Sequence, residues 1–242
     1  MAATNRPLKI LLFGATGSAG GSTLRVCLAS PFVTEVRALV RRTPELEEGI
    51  DPGKLRVILH SDYLDYSAVE EAFAGVDACF YCLGISVTQV SGEPEYRKIT
   101  HDFALAAARV LKAKSPQAVF HFISGQSASL DSRMMWARVK AETERDLLAL
   151  DPDTCRWRPA AIDGIPSKSE PRIYKIFRPL YPLLSPIRSL YISGKDLGKA
   201  MLQATREDLR GQLIDNRGIR DLADRAGQGG KATGTATSSV RP

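Results

Sequence analysis

Metal chemistry has little to work with in this sequence: its three histidines, at 60, 101 and 121, share no ligand spacing. Cysteine is equally scarce. Of the four cysteines, Cys79 and Cys82 are spaced C-x-x-C but lie inside the apolar run 78–83, where a strand would bury them on opposite faces. A redox or zinc pair needs a loop or a helix start, so both read as core residues, as do Cys27 and Cys155. Unpaired thiols point to a reducing compartment. With no apolar h-region of a secretory signal, that compartment reads as the cytoplasm. No run reaches the ~20 apolar residues of a membrane span. The net charge of +6 has no aromatic-interleaved basic stripe or nucleic-acid motif behind it, which argues against nucleic acid as a partner and in favour of small anions.

What is present organises around residues 8–21, LKILLFGATGSAGG. Five large apolar residues between Leu8 and Phe13 make a run too short for a buried helix. The run ends on a glycine that opens a turn of small residues, as a central parallel strand does when it delivers the chain to a phosphate. Gly14, Gly17 and Gly20 divide the work: a tight turn, close backbone approach to a pyrophosphate, and close packing of the next helix on the strand. Helical spacing of Leu24, Cys27 and Leu28 starts that helix near Ser18 and Ala19, with its free N–H groups facing the loop.

The second strand, 35–40 (EVRALV), ends on Arg41 and Arg42, about twenty residues past Gly20 and with no carboxylate at its end. An acidic residue there would select the 2′-hydroxyl of NAD. Arginine accommodates the 2′-phosphate, so the pattern favours NADP(H) over NAD(H). A third strand, 55–59, delivers Asp62 to the same sheet edge, where its carboxylate could accept from an adenine amino group or cap a turn. A fourth, 76–83, stops at Leu83 and Gly84, a place for close passage of a cofactor.

Helix 94–113 follows. His101 and Asp102 on it point about 100° apart and read as solvated surface. A fifth strand, 118–123, ends at Ser124, the helix 134–150 carries Trp136 and Lys140, and a sixth strand, 155–158, stops at Pro159. From 167 to 193 apolar residues are broken by prolines, which suits either a flap over the substrate end of the site or a small packed subdomain. Beyond Arg225 large apolar residues almost vanish, and 226–242 reads as a disordered tail. Alternating strands and helices over 1–225 give one α/β domain, a doubly wound parallel sheet of order 3-2-1-4-5-6 with a short edge strand.

These residues resemble the atypical short-chain dehydrogenase/reductases, and within them the HIV Tat-interacting protein-like family. The resemblance runs from about Leu8 to Asp224 through FGATGSAGG, LVRR, FYCLG, YRKITHDF, HFISGQSAS, WARVKAETE, RWRPA and IDNRGIRDL. It implies a bound nicotinamide dinucleotide, with Gly14, Thr16, Gly17 and Gly20 at the phosphates, Arg41 and Arg42 at the 2′-phosphate, Leu83 and Gly84 along the adenosine half, and Lys140 at the nicotinamide ribose. The family also implies Tyr-x-x-x-Lys on the helix after the fifth strand, where lysine and cofactor charge lower the phenol pKa enough for proton exchange near neutrality. Trp136 stands in the tyrosine's place. Indole donates only, so the acid/base is missing although Ser124 and Lys140 match the pattern. Two functions stay open: a reductase taking its proton elsewhere, for instance from water, Tyr174 or Tyr181, or a cofactor-gated regulator of an unknown partner.

Overall fold

The computed structural model describes residues 6–165 and 191–232. Residues 167–190 of the expected flap, with Tyr174 and Tyr181, lie outside the described residues, as do residues 1–5, 166 and 233–242. Strand β1 (Leu8–Phe13) is the centre: it pairs in parallel with β2 (Val33–Val40) on one side and β4 (Ala78–Tyr81) on the other. Strand alternation divides its side chains between two cores. Leu8, Ile10 and Leu12 join the helices α1 (Ser18–Ala29), α5 (Gly194–Arg206) and α6 (Asn216–Ala232) on one face. Leu11 and Phe13 join an aromatic core on the other, with Tyr63, Tyr66, Phe73, Tyr81, Phe120 and Phe122.

Outward from β1 the sheet continues with β3 (Leu55–Leu59) beyond β2, and with β5 (Val119–Ile123), β6 (Cys155–Arg158) and β9 (Leu213–Asp215) beyond β4. The order β3-β2-β1-β4-β5-β6-β9, parallel throughout, is the expected doubly wound arrangement with its edge strand. Strand order reverses between β1 and β4, and ligands of such sheets bind at that reversal, outside the carboxyl ends.

Three features depart from the sequence reading. The helix expected over 94–113 is divided into α2 (Glu93–Arg97), a π-helical turn (Lys98–Asp102) and α3 (Phe103–Lys114), the Phe103 N–H reaching back five residues to the Lys98 carbonyl. One extra residue per turn is invisible to a 3.6-residue pattern. A two-stranded sheet pairs β7 (Ala161–Asp163) with β8 (Tyr191–Ser193), so the last three residues of the expected flap are a strand. Finally, α6 continues to Ala232, which makes 226–232 helical where a disordered tail was expected. Ile219, Leu222 and Ala223 anchor its buried stripe, Arg225 pairs with Glu207 at 2.9 Å, and extending a nucleated helix costs far less than starting one.

Candidate functional site

The turn after β1 is built of backbone contacts that leave no room for side chains. Gly14 has φ +74°, and a Cβ there would stand 2.5 Å from the Cys82 carbonyl oxygen at the end of β4. A Cβ on Gly20 would overlap the Gly14 carbonyl. Gly17 is the N-cap of α1; its own N–H donates to Gly14 O at 2.8 Å, and no side chain caps the helix. The first turn holds no acidic residue, so the N–H groups of Ser18, Ala19 and Gly20 present an uncompensated positive end to any anion above the loop. Half-buried Thr16 completes the turn.

A second segment closes on this loop that the sequence reading missed. Gly164 lies against the Ser18 backbone, Ile165 packs on Gly21, and the Ile165 N–H donates to Ser22 Oγ at 3.0 Å. The only signal was Pro159 ending β6 in RWRPA, which turns the chain back toward β1's carboxyl end.

Arg41 and Arg42 are exposed directly after β2, on the same sheet edge. Arg41 lies near Tyr63, where its positive charge opposes the upward push that burial gives the phenol. Asp62 is exposed beyond β3 and accepts from the Leu64 N–H at 3.0 Å, the turn-forming role, while its carbonyl meets the His60 ring at 2.5 Å. None of the three lines the cavity described next.

That cavity, of about 530 Å³, opens at the carboxyl ends of β4, β5 and β6 and is walled by Ser18 and Ala19 of α1, Gly84, residues 123–127, Trp136, Lys140 and residues 159–162. Leu83 is half-buried beside it, its amide nitrogen abutting Gly14. Ser124 is fixed at both ends of its backbone: its N–H donates to Trp157 O at 2.7 Å, and its carbonyl accepts from Lys140 Nζ at 2.5 Å. Its Oγ is buried with no hydrogen-bond partner among the described residues. Burial pushes the half-buried Lys140 ammonium down to about 8, with Glu144 opposing that push weakly. Glu144 itself is held by Arg158 through two bonds of 2.9 and 2.7 Å. One helical turn before Lys140, the Trp136 ring lies 3.9 Å from where a Gly125 Cβ would sit. The structure thus gathers Ser18, Ala19, Gly84, Ser124, Trp136 and Lys140 in one cavity adjoining the glycine turn.

The remaining polar candidates serve the fold. His121, wholly buried on β5, accepts from Trp157 Nε1–H at 3.1 Å and has Thr205 Oγ1 at 3.4 Å; burial holds its pKa down at about 3, so it stays neutral. His101 is half-buried between Asp102 (2.7 Å) and Asp146 of α4 (Met135–Leu150) at 2.9 Å, which corrects the reading of a solvated pair. His101 and Asp102 both lie within the π-helical turn. Cys79 and Cys82 belong to opposite faces of the sheet, as the strand reading required, and burial raises both thiols, Cys82 to about 12. Among the described residues no cluster of three or more His, Cys, Asp or Glu could hold a metal, and no helix is long and apolar enough to cross a membrane.

The glycine turn and this cavity fit an anionic dinucleotide: the cradle at Gly14 and Gly20 admits only backbone, and Ser124 offers a buried donor. Comparison with known proteins agrees. A protein family described as NAD(P)H-binding matches residues 14–149. The mitochondrial protein fmp52 of Emericella nidulans is 26% identical over 210 residues, covering 84% of this chain and 90% of that protein. The mitochondrial FMP52 of Eremothecium gossypii is 31% identical over 158 residues, covering 65% and 67%. Among solved structures, the Bordetella bronchiseptica enzyme WbmF in complex with NADH superimposes with a TM-score of 0.67 at 13% identity, covering 100% of this chain and 83% of WbmF, a likeness of fold. The relatives' names overturn the expectation of a cytoplasmic protein. Reduced, buried thiols do not separate the cytosol from other reducing compartments, and the absence of a secretory h-region says nothing about mitochondrial import, which uses amphipathic Arg-rich signals.

Proposed function

The chain belongs to the NAD(P)H-binding family of atypical short-chain dehydrogenase/reductases, and we propose that it is an NADP(H)-binding oxidoreductase-like protein with a degenerate proton-transfer site. The observation that carries this reading is the continuity of the Gly14–Gly20 turn with the cavity containing Ser124, Trp136 and Lys140. In it, the N–H groups at the start of α1 bind the phosphates, Arg41 and Arg42 clamp the 2′-phosphate, and Asp62, Leu83 and Gly84 border the adenosine half. Lys140 holds the nicotinamide ribose. When bound, NADP(H) supplies a hydride for a carbonyl carbon or accepts one from an alcohol.

Ser124 is the chain's own contribution to that chemistry: its unpaired Oγ–H donates to the carbonyl oxygen and polarises it. Trp136 cannot deliver the proton that the reduced oxygen then needs, so water does, and slowly. We further assign the chain to mitochondria, following its fungal relatives, and take it as one dinucleotide-binding domain whose last helix runs past Arg225 to Ala232.

Trp136 also supports a second reading, a catalytically silent regulator whose surface changes with cofactor occupancy. Calorimetric titration with NADPH and NADH, followed by single-turnover NADPH oxidation with aldehydes, ketones and quinones, separates the two. Slow turnover identifies the reductase, tight binding without turnover identifies the regulator, and failure to bind either dinucleotide refutes both.

A further inference from the structure

A second cavity, of about 380 Å³, lies at the far end of α1 from the glycine turn, between the last residues of that helix, the turn into β2, and α5. Its volume falls in the usual range for small-molecule sites, ~300–1,000 Å³. One half is apolar: Val26 and Ala29 of α1, Phe32, and Leu202 of α5, with Ala226 of α6 at the margin. The other half is cationic. Lys195, Lys199 and Arg206 fall with Leu202 at steps of four, three and four residues, a single stripe along α5 that faces the cavity.

The carboxylates nearby leave much of this charge uncompensated. Asp196 stands 3.7 Å from Lys199 Nζ, a loose pair, and Glu207 is taken up by Arg225 (2.9 and 3.0 Å) and by Gln203 Nε2 (2.8 Å). Arg206 stacks its guanidinium 3.5 Å over the Phe32 ring and donates from Nη1 to Gln203 Oε1 at 3.1 Å, while its Nε is buried with no hydrogen-bond partner among the described residues. A desolvated guanidinium with an idle donor is costly unless an anion completes it. Burial accordingly holds its pKa below the ordinary arginine value.

We propose that this cavity binds a small amphipathic anion, its apolar or aromatic body between Val26, Phe32 and Leu202 and its carboxylate or sulfonate head on Arg206 and Lys199. The site is separate from the dinucleotide cavity: the two share no lining residue. Nothing in this assignment depends on what the first cavity does.

The test uses the full chain and the fluorescent probe 8-anilinonaphthalene-1-sulfonate, an aromatic body with one sulfonate, titrated with and without saturating NADPH. Saturable binding that survives NADPH is expected, with N-phenyl-1-naphthylamine, the uncharged analogue, binding at least tenfold more weakly. Arg206→Met keeps much of the packing and removes the head-group contact. Ala29→Phe fills the apolar half from an exposed position. Each should weaken the probe tenfold or more while NADPH affinity stays within twofold and the melting temperature within about 3 °C. Lys199→Gln, a milder surface change, should weaken it severalfold and covers the case in which Arg206→Met does not fold. Complete displacement by NADPH, equal binding of the neutral analogue, or unchanged affinity in the variants that fold would overturn the proposal.

Discussion

Gly20→Ala and Gly84→Ala each add one methyl group, and the structure assigns them opposite consequences. At Gly20 the new carbon would overlap the carbonyl of Gly14 and lie 3.2 Å from the Ala15 amide nitrogen, with only backbone on the opposing side. Backbone cannot swing away as a flexible side chain does, so α1 has to shift off β1, a form of overpacking that costs about 1–3 kcal/mol. For a chain of this size, 1 kcal/mol lowers Tm by roughly 2–4 °C, which predicts a fall of about 2–12 °C. The shift also moves the N–H groups of Ser18 and Ala19, so dinucleotide affinity should fall at least tenfold. At Gly84 nothing lies within 4 Å of the added carbon, and φ lies outside the left-handed region. Gly84→Ala should therefore leave the apoprotein's Tm within about 1 °C, and weaken only the bound state, because the space it fills belongs to the cavity. Scanning calorimetry of both variants, with and without NADPH, reads all four quantities. An unchanged Tm in Gly20→Ala would refute the close contact of helix and turn. Unchanged affinity in Gly84→Ala would refute passage of the cofactor along the end of β4.

Three further outcomes follow from the same geometry. Replacing Arg41 and Arg42 together by alanine should remove most of a preference for NADPH over NADH, a change of tenfold or more at about 1.5–3 kcal/mol per charge-assisted contact; equal affinity of the parent protein for both dinucleotides in calorimetric titration would defeat the assignment. Trp136→Tyr restores Tyr-x-x-x-Lys, so any latent carbonyl reduction should rise at least tenfold in single-turnover assays, and NADPH should quench tryptophan emission more in the parent than in the variant. A slower reaction in the variant would point to another proton donor. Burial holds the folded His121 imidazole down at about 3, against roughly 6.5 for a free histidine. Its unfolded form takes up a proton that the folded form refuses, so stability falls as pH drops from about 6.5 to 3, by up to ~1.4 kcal/mol per unit. His121→Gln, which keeps an acceptor for Trp157, should flatten that slope in urea melts at pH 4, 5 and 6; an identical slope would show that other groups dominate it.

Sheet order and the glycine turn were legible in the sequence because both are set locally. The LKILLF run buries all but one residue, and Gly14 and Gly20 sit where backbone meets backbone. Trp136 beside Lys140 followed from helical spacing alone. What escaped depends on contacts far apart in the chain or on breaks in periodicity. Gly164 carries no local signal of its role, yet it is pressed on Ser18, some 146 positions earlier. The π-helical turn that carries His101 adds a residue that no regular pattern contains.

Gly194 and Gly198 on α5 likewise have a reason that appears only across the interface. Cβ atoms there would meet Ser22 Oγ at 2.5 Å and Thr23 Cα at 3.0 Å. The two glycines let α5 lie directly on α1, so one helix pair carries the glycine turn at one end and the cationic cavity at the other. Because Ser22 also accepts the Ile165 amide, the approach of α5, the placement of the segment after β7, and the pitch of α1 beneath the glycine turn depend on the same few atoms. A larger residue at 194 would press on Ser22 and Gly164, neither of which lines the cavity beside the glycine turn, and would reach that cavity only through them.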